Sequence, residues 1–175
     1  MIEKGKRGVV WVSTILYILI SLAVLTLVYA SVQPIIEKSS DKALCSQSEQ
    51  ILRDIDSRIK EVSSVEGNKL SLDAKISRGN LIINSSADLI TWQLKDSAYQ
   101  YSEEGKLIDV SGSIKAVTLK SKENKWDVKI YLDYQDKYNV TYNKGKNSRV
   151  LSESDYVLFF EYANATTKQV DVTVS

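Results

Sequence analysis

Histidine is absent from the 175 residues, which include one cysteine, one proline, one methionine and seven glycines. Without histidine the side chain best matched to proton transfer near neutral pH is missing, and with it every Ser-His or Cys-His nucleophile pair and most metal sites. The lone Cys45 excludes an internal disulfide. An exported domain made from this chain must then be held by packing and strand pairing alone, or Cys45 must pair between chains. No block of five like charges occurs, and 23 basic residues stand against 22 acidic ones. That balance gives no field for nucleic acid. The phosphate-loop pattern G-x-x-x-x-G-K, the nucleophile elbow G-x-S-x-G and the D-x-D-x-D-G calcium frame are all missing. Carboxylate chemistry is what remains, and Glu103/Glu104, Asp133/Asp136 and Glu153/Asp155 are the nearest pairs. Each reads more simply as a solvated turn pair, because a catalytic pair must face a cleft with split pKa values. The expectation is a protein that is not an enzyme and takes no cofactor and no metal.

What the chain does have is a run of 24 uncharged positions, Val9 to Val32, directly after Lys4, Lys6, Arg7 and Gly8. At about 1.5 Å per residue such a helix spans roughly 36 Å, enough to cross a hydrocarbon core with some tilt. Basic residues on one flank of a first apolar segment stay cytoplasmic, so the rest of the chain is expected outside. The division is a basic cytoplasmic leader over 1–8, a transmembrane helix over 9–33, an amphipathic extracytoplasmic helix over 34–66 and a β-rich head over 67–175. Pro34 should end or kink the membrane helix by removing a backbone donor.

Beyond it, Cys45, Ser48, Leu52, Ile55, Ile59 and Val62 recur at spacings of three and four, with Arg53, Asp54, Asp56, Arg58 and Lys60 filling much of the other side. That stripe needs a partner: the protein's own sheet, a seam between subunits, or both. Glu66-Gly67-Asn68 supplies the stop. From Lys69 the period becomes two. Leu70, Leu72, Ala74 and Ile76, a turn at Arg78-Gly79-Asn80 and a return over Leu81 to Asn84 predict a first hairpin. Further strands are expected at Leu89–Leu94, Leu107–Val110, Ile114–Ser121, Trp126–Tyr134, Tyr138–Tyr142, Tyr156–Tyr162 and Val170–Val174. The fold class is α+β: one long N-terminal helix, membrane-spanning in its first half and amphipathic in its second, attached to an antiparallel sheet.

Three sequons, at Asn84, Asn139 and Asn164, fall in the expected external part and are candidate glycosylation sites. Alternation puts Asn139 and Thr141 opposite Tyr138, Val140 and Tyr142, so a glycan on Asn139 should point away from the core. Eight tyrosines lie in the β region. Most sit where aromatics simply build a sheet, and Tyr131, alone on the polar side of its strand, is the candidate ligand contact.

Lys4-Gly5-Lys6-Arg7-Gly8 followed by Val9-Val10-Trp11-Val12-Ser13-Thr14 and an apolar helix resembles a class III signal sequence, the kind cut by prepilin peptidases. The first ~65 residues are similar to type IV pilins and archaeal pilin-like proteins. The resemblance implies cleavage between Gly8 and Val9 by a prepilin peptidase, assembly of a homo-oligomeric filament by pilus machinery, and a place at the cell membrane or on a cell-surface fibre. In such a fibre Lys4, Lys6 and Arg7 would be buried unpaired charges costing several kcal/mol each, and cleavage removes them. Because lipid is as apolar as leucine, helix packing must decide assembly, and Ser13, Ser21, Ala23, Thr26 and Ala30 would allow close approach. Ser13 stands where bacterial pilins carry a glutamate. It accepts a hydrogen bond but neutralises no charge, which points to the archaeal members. Two other readings stand beside this one. The chain could be a single-pass anchored binding or envelope protein that keeps Met1–Gly8, or a secreted one cut after Ala30 in Val28-Tyr29-Ala30. The apolar region before Ala30 exceeds the 7–15 residues typical of a cleaved secretory signal.

Overall fold

The computed structural model describes the backbone from Lys4 to Ser175 and the side chains from Trp11 onward, so Met1–Glu3 of the expected leader lie outside the described residues. One helix, α1 (Lys4–Val62), is followed by β1 (Lys69–Ile76), β2 (Asn80–Asn84), β3 (Leu89–Ser97), β4 (Ile108–Ser111), β5 (Ile114–Lys122), β6 (Lys125–Asp133), β7 (Asn139–Tyr142), β8 (Ser148–Leu151), β9 (Ser154–Asn164) and β10 (Gln169–Val174). The fold is α+β. The chain divides into two compact units, one up to Ser39 and the other Ser40–Ser175.

α1 continues through Pro34 with no break, so the proline does not end it. A proline forfeits one backbone bond, and the many bonds of a 59-residue helix on either side of it outweigh that loss. In the first unit every described side chain from Trp11 on is exposed.

The second unit, the head, holds the last part of α1 and two sheets. The four-stranded sheet has the order β1-β9-β10-β7 and the six-stranded sheet β4-β5-β6-β3-β2-β8. All pairings are antiparallel except β7 with β10, which run parallel with Val140 opposite Val170. Cys45, Leu52, Ile55, Ile59 and Val62 of α1 are fully buried in one core with Ile83, Ile90, Leu94, Ile130 and Leu132 of the larger sheet and Leu158, Phe160, Val170 and Val172 of the smaller. The helical stripe thus packs on the protein's own sheets. Each such Leu or Ile contributes about 1.5–3 kcal/mol of burial. The other side of this part of α1, Lys42, Ser46, Gln50 and Ser57, is polar and exposed, so it offers no apolar seam. Gly67 takes a φ of 80°, and its N–H donates to the Tyr162 carbonyl at 2.9 Å, tying the helix end to β9.

The strand β6 alternates as expected: Val128, Ile130 and Leu132 face the core while Lys129, Tyr131 and Asp133 face out. The expected hairpin of β1 and β2 does not form. β1 pairs with β9 and β2 with β3 and β8, in different sheets. The turn at Ser77–Gly79 carries the chain from one sheet to the other, and Gly79 is required there. Its φ is 89°, and a Cβ would meet the Gln93 carbonyl oxygen at 2.6 Å. β8 was not expected, since only Leu151 of its four residues is buried.

Candidate functional site

The feature with no counterpart inside the protein is the exposed apolar part of α1. Trp11, Tyr17, Leu25, Leu27 and Tyr29 are each about two-thirds or more exposed, and among the described residues this is the one helix long and apolar enough to cross a membrane, near the N-terminus. Three of its hydroxyls are satisfied within the helix. Ser21 donates to the Tyr17 carbonyl at 2.8 Å, Thr26 to Leu22 at 2.8 Å and Ser31 to Leu27 at 2.9 Å. Back-bonding of this kind removes the cost of a bare hydroxyl in an apolar medium. Ser13, Ser21, Ala23, Thr26 and Ala30 all lie on this exposed segment. Gly8 and Val9 fall within the helical backbone of α1.

Where α1 enters the head, a buried carboxylate holds it. Asp41 is 2% exposed; one of its oxygens pairs with Arg78, and the other accepts from the Ala98 N–H at 2.6 Å and the Ser97 hydroxyl at 3.2 Å. Further along, Asp56 accepts from the Tyr134 hydroxyl at 3.0 Å and from Lys60 at 2.6 Å. Glu49 accepts from the Tyr101 hydroxyl at 2.9 Å and from Arg53. Burial, and then the carboxylate beside each ring, pushes the Tyr134 and Tyr101 phenols well above their ordinary value of 10.0. Asp56, expected on the polar side, is therefore a buried anchor. A carboxylate can sit there because a phenol and an ammonium both donate to it. Asp41 escaped the sequence reading because it is charged. Yet it lies four residues before Cys45, one step earlier in the same stripe, and that spacing was the available clue.

Cys45 is 1% exposed, and burial followed by the nearby Asp41 charge pushes its thiol up to about 12. A thiol in that state is a small core hydrophobe, and pairing between chains would require α1 to leave the sheets.

The sequons lie in three different settings. Asn84 ends β2, and its side-chain oxygen accepts from the Ser86 N–H at 3.2 Å and the Ser148 hydroxyl at 3.3 Å. Asn164 opens the β9–β10 turn, accepting from the Thr167 N–H at 3.1 Å beside exposed Ala165 and Thr166. The outward orientation expected of the Asn139 face does not hold. Thr141 is 4% exposed and donates to Asp171 at 2.6 Å, while the Asn139 side-chain oxygen accepts from Lys146. β7 is covered on this side because the turn after it folds back, with the Lys144 N–H also on Asp171 at 2.6 Å.

Tyr131 faces out, half-buried, in an open depression of about 440 Å³ with Leu89, Thr91, Gln93 and Lys129. Partial burial raises its phenol. Across the strands from it Lys115 donates to Asp133 at 2.7 Å, which raises the lysine and lowers the carboxylate. The acidic pairs of the sequence are divided among separate partners: Asp133 with Lys115, Glu103 with Lys106 at 3.1 Å and Asp155 with Lys75 at 3.8 Å.

Comparison of the chain with protein-family models, with curated proteins and with solved structures finds no match.

Proposed function

We propose that this protein is a structural subunit of a type IV pilus-like surface filament of archaeal type, cut between Gly8 and Val9 and assembled through α1. The observation that supports this most is the contrast within one helix. Its second part buries its apolar stripe in the head, while from Trp11 to Ile36 apolar side chains are exposed on all sides. A segment with that surface needs lipid before assembly and neighbouring helices after it. The head's own helical face is polar, so subunit packing runs through the first segment. With Ser21 and Thr26 already bonded to the Tyr17 and Leu22 carbonyls of the preceding turn, small residues there act by letting backbones approach. Glycans, where added, suit Asn164 best, since its turn is the most open of the three.

A second reading, a single-pass anchored envelope or binding protein that stays unassembled, draws on the same back-bonded hydroxyls. A helix so satisfied is content alone in lipid, and Ser13 brings no charge to pair with a neighbour's terminal amine.

Mass spectrometry of the N-terminus of cell-derived protein separates the readings. A start at Val9 is expected for the filament subunit, Met1 for the anchor and Ser31 for a secreted form. Electron microscopy of sheared cell-surface material then tests polymerisation. Finding the Val9 form only as a dispersed membrane protein would overturn the filament reading.

A further inference from the structure

At the end of the head where α1 finishes, four connections converge on an open cleft of about 660 Å³. Lys60 and Ser63 come from the end of α1, Ser113 from the β4–β5 turn, Lys137 and Tyr138 from the β6–β7 connection, and Lys168 from the β9–β10 turn. A second recess of about 210 Å³ shares Asp136, Lys137, Tyr138 and Lys168 with it, so these residues form a ridge with a hollow on each side. The site lies some 19 residues along α1 from Asp41, roughly 30 Å of helix, at the end of the head farthest from where the chain enters it. Loops gathered around a concavity at one end of a rigid scaffold are where ligands are ordinarily met.

The chemistry of the lining narrows the ligand. Asp136 is its one carboxylate, against three lysines. Lys60 is spent on Asp56 at 2.6 Å, whereas Lys137 is positioned by the neutral Ser113 hydroxyl at 3.2 Å, and the Lys168 ammonium has no carboxylate partner among the described residues. Both Asp136 and Lys168 hold left-handed backbone, with φ of 65° and 50°. For lysine that conformation is uncommon, and the fold enforces it here through the Asn139 N–H, which donates to the Lys168 carbonyl at 3.0 Å. The cleft has no arginine fork, and the end of α1 turns its carbonyls, the negative pole of the helix, toward this end of the head. That arrangement disfavours a compact dianion such as phosphate. A weak, singly charged group suits it better, joined to a body that uses the Ser113 and Tyr138 hydroxyls and lies against an aromatic edge, as sugar rings do.

We propose that this distal cleft binds an acidic polysaccharide, with Lys137 and Lys168 meeting its carboxylates and Tyr138 and Ser113 its hydroxyls. The reading is separate from filament assembly, and its test needs no filament. Full-length protein in detergent micelles is titrated by calorimetry with an oligogalacturonate, with a neutral malto-oligosaccharide of equal length, and with inorganic phosphate. The acidic sugar is expected to bind, more weakly as salt rises, while the other two do not. Lys137→Gln with Lys168→Gln should lower the affinity about tenfold or more, and Lys120→Gln, at an exposed lysine of β5 outside the cleft, should leave it unchanged. Both lysines are surface residues, and circular dichroism checks that the double variant is folded. Three results would overturn the proposal: no uptake of the acidic sugar, uptake of the neutral sugar or phosphate with equal affinity, or a folded double variant that binds as the wild type does.

Discussion

Within α1, residues 11–36 and residues 41–62 share one secondary structure and differ in almost everything else. In the first stretch Leu22, Leu25 and Leu27 are exposed by 61%, 66% and 69%; in the second Leu52, Ile55 and Ile59 are at 0%. The first carries hydroxyls bonded to its own turns, the second carboxylates bonded to other strands. Helix geometry is indifferent to its surroundings, because its backbone bonds close within the segment. Composition around the circumference then decides whether a segment seeks lipid, siblings or a sheet.

The largest effect that separates the two stretches is expected from a cavity. Leu52→Ala should destabilise the head by about 2–5 kcal/mol, whereas Leu22→Ala should change it by less than about 0.5 kcal/mol. Urea unfolding in micelles followed by tryptophan fluorescence measures both, and equal losses would mean that the first stretch also belongs to the head's cooperative unit.

Next comes the anchor. Asp41→Ala strips the Ala98 N–H of its acceptor, while the Ser97 hydroxyl keeps the Tyr99 carbonyl at 3.0 Å, and should cost about 1–3 kcal/mol. Arg78 adds little to that sum, since its side chain is 43% exposed and can turn to water. Hydrogen exchange at Ala98 should accelerate in the same variant; unaltered exchange there would show that the carboxylate does not hold that loop.

A further effect is set by pH. Cys45, Tyr101 and Tyr134 all have raised pKa values in the folded head. Below the ordinary values of 9.0 and 10.0 both folded and unfolded chains keep these protons. As pH rises past them the unfolded chain loses its protons first, so stability must fall with increasing pH. For the thiol the fall begins near 9.0 and is complete by about 12, and for the phenols it starts near 10.0 and extends higher. Cys45→Ala should flatten the early part of an alkaline unfolding curve and leave the later part. A curve of unchanged shape would place the thiol in water.

Smallest of all, Thr26→Ala should move head stability by less than about 0.5 kcal/mol, because its hydroxyl bonds only to Leu22 within the first stretch. A larger shift on urea unfolding would break the independence of the two stretches from the other side.

Much of the architecture could be read from spacing. The stripe from Cys45 to Val62 and the alternation of Trp126 to Tyr134 are local periodicities, and each names its buried face without reference to the rest of the chain. The Arg78-Gly79-Asn80 turn was legible too, but its consequence was not. A turn residue reports a change of direction, while the pairing of β1 with β9, from Lys69 opposite Glu161 to Ile76 opposite Ser154, links positions far apart in sequence. The covered Asn139 side of β7 was unreadable for the same reason, since Asp171 and Lys146 reach it from other elements. In the distal cleft no single segment carries a motif; its lysines become neighbours only when four connections meet.

What the sequence determined alone was the order of surfaces along the chain: an uncharged helix, a one-sided helix, then alternating strands. Those follow from periods of 3.6 and 2 that each segment expresses locally. Tertiary structure decided which strands share a sheet, that Asp41 and Asp56 lie inside, and which side chains face one another at the far end of the head. Strand partners and buried charges depend on groups brought from distant positions, and a buried carboxylate is tolerated only where other elements deliver its donors.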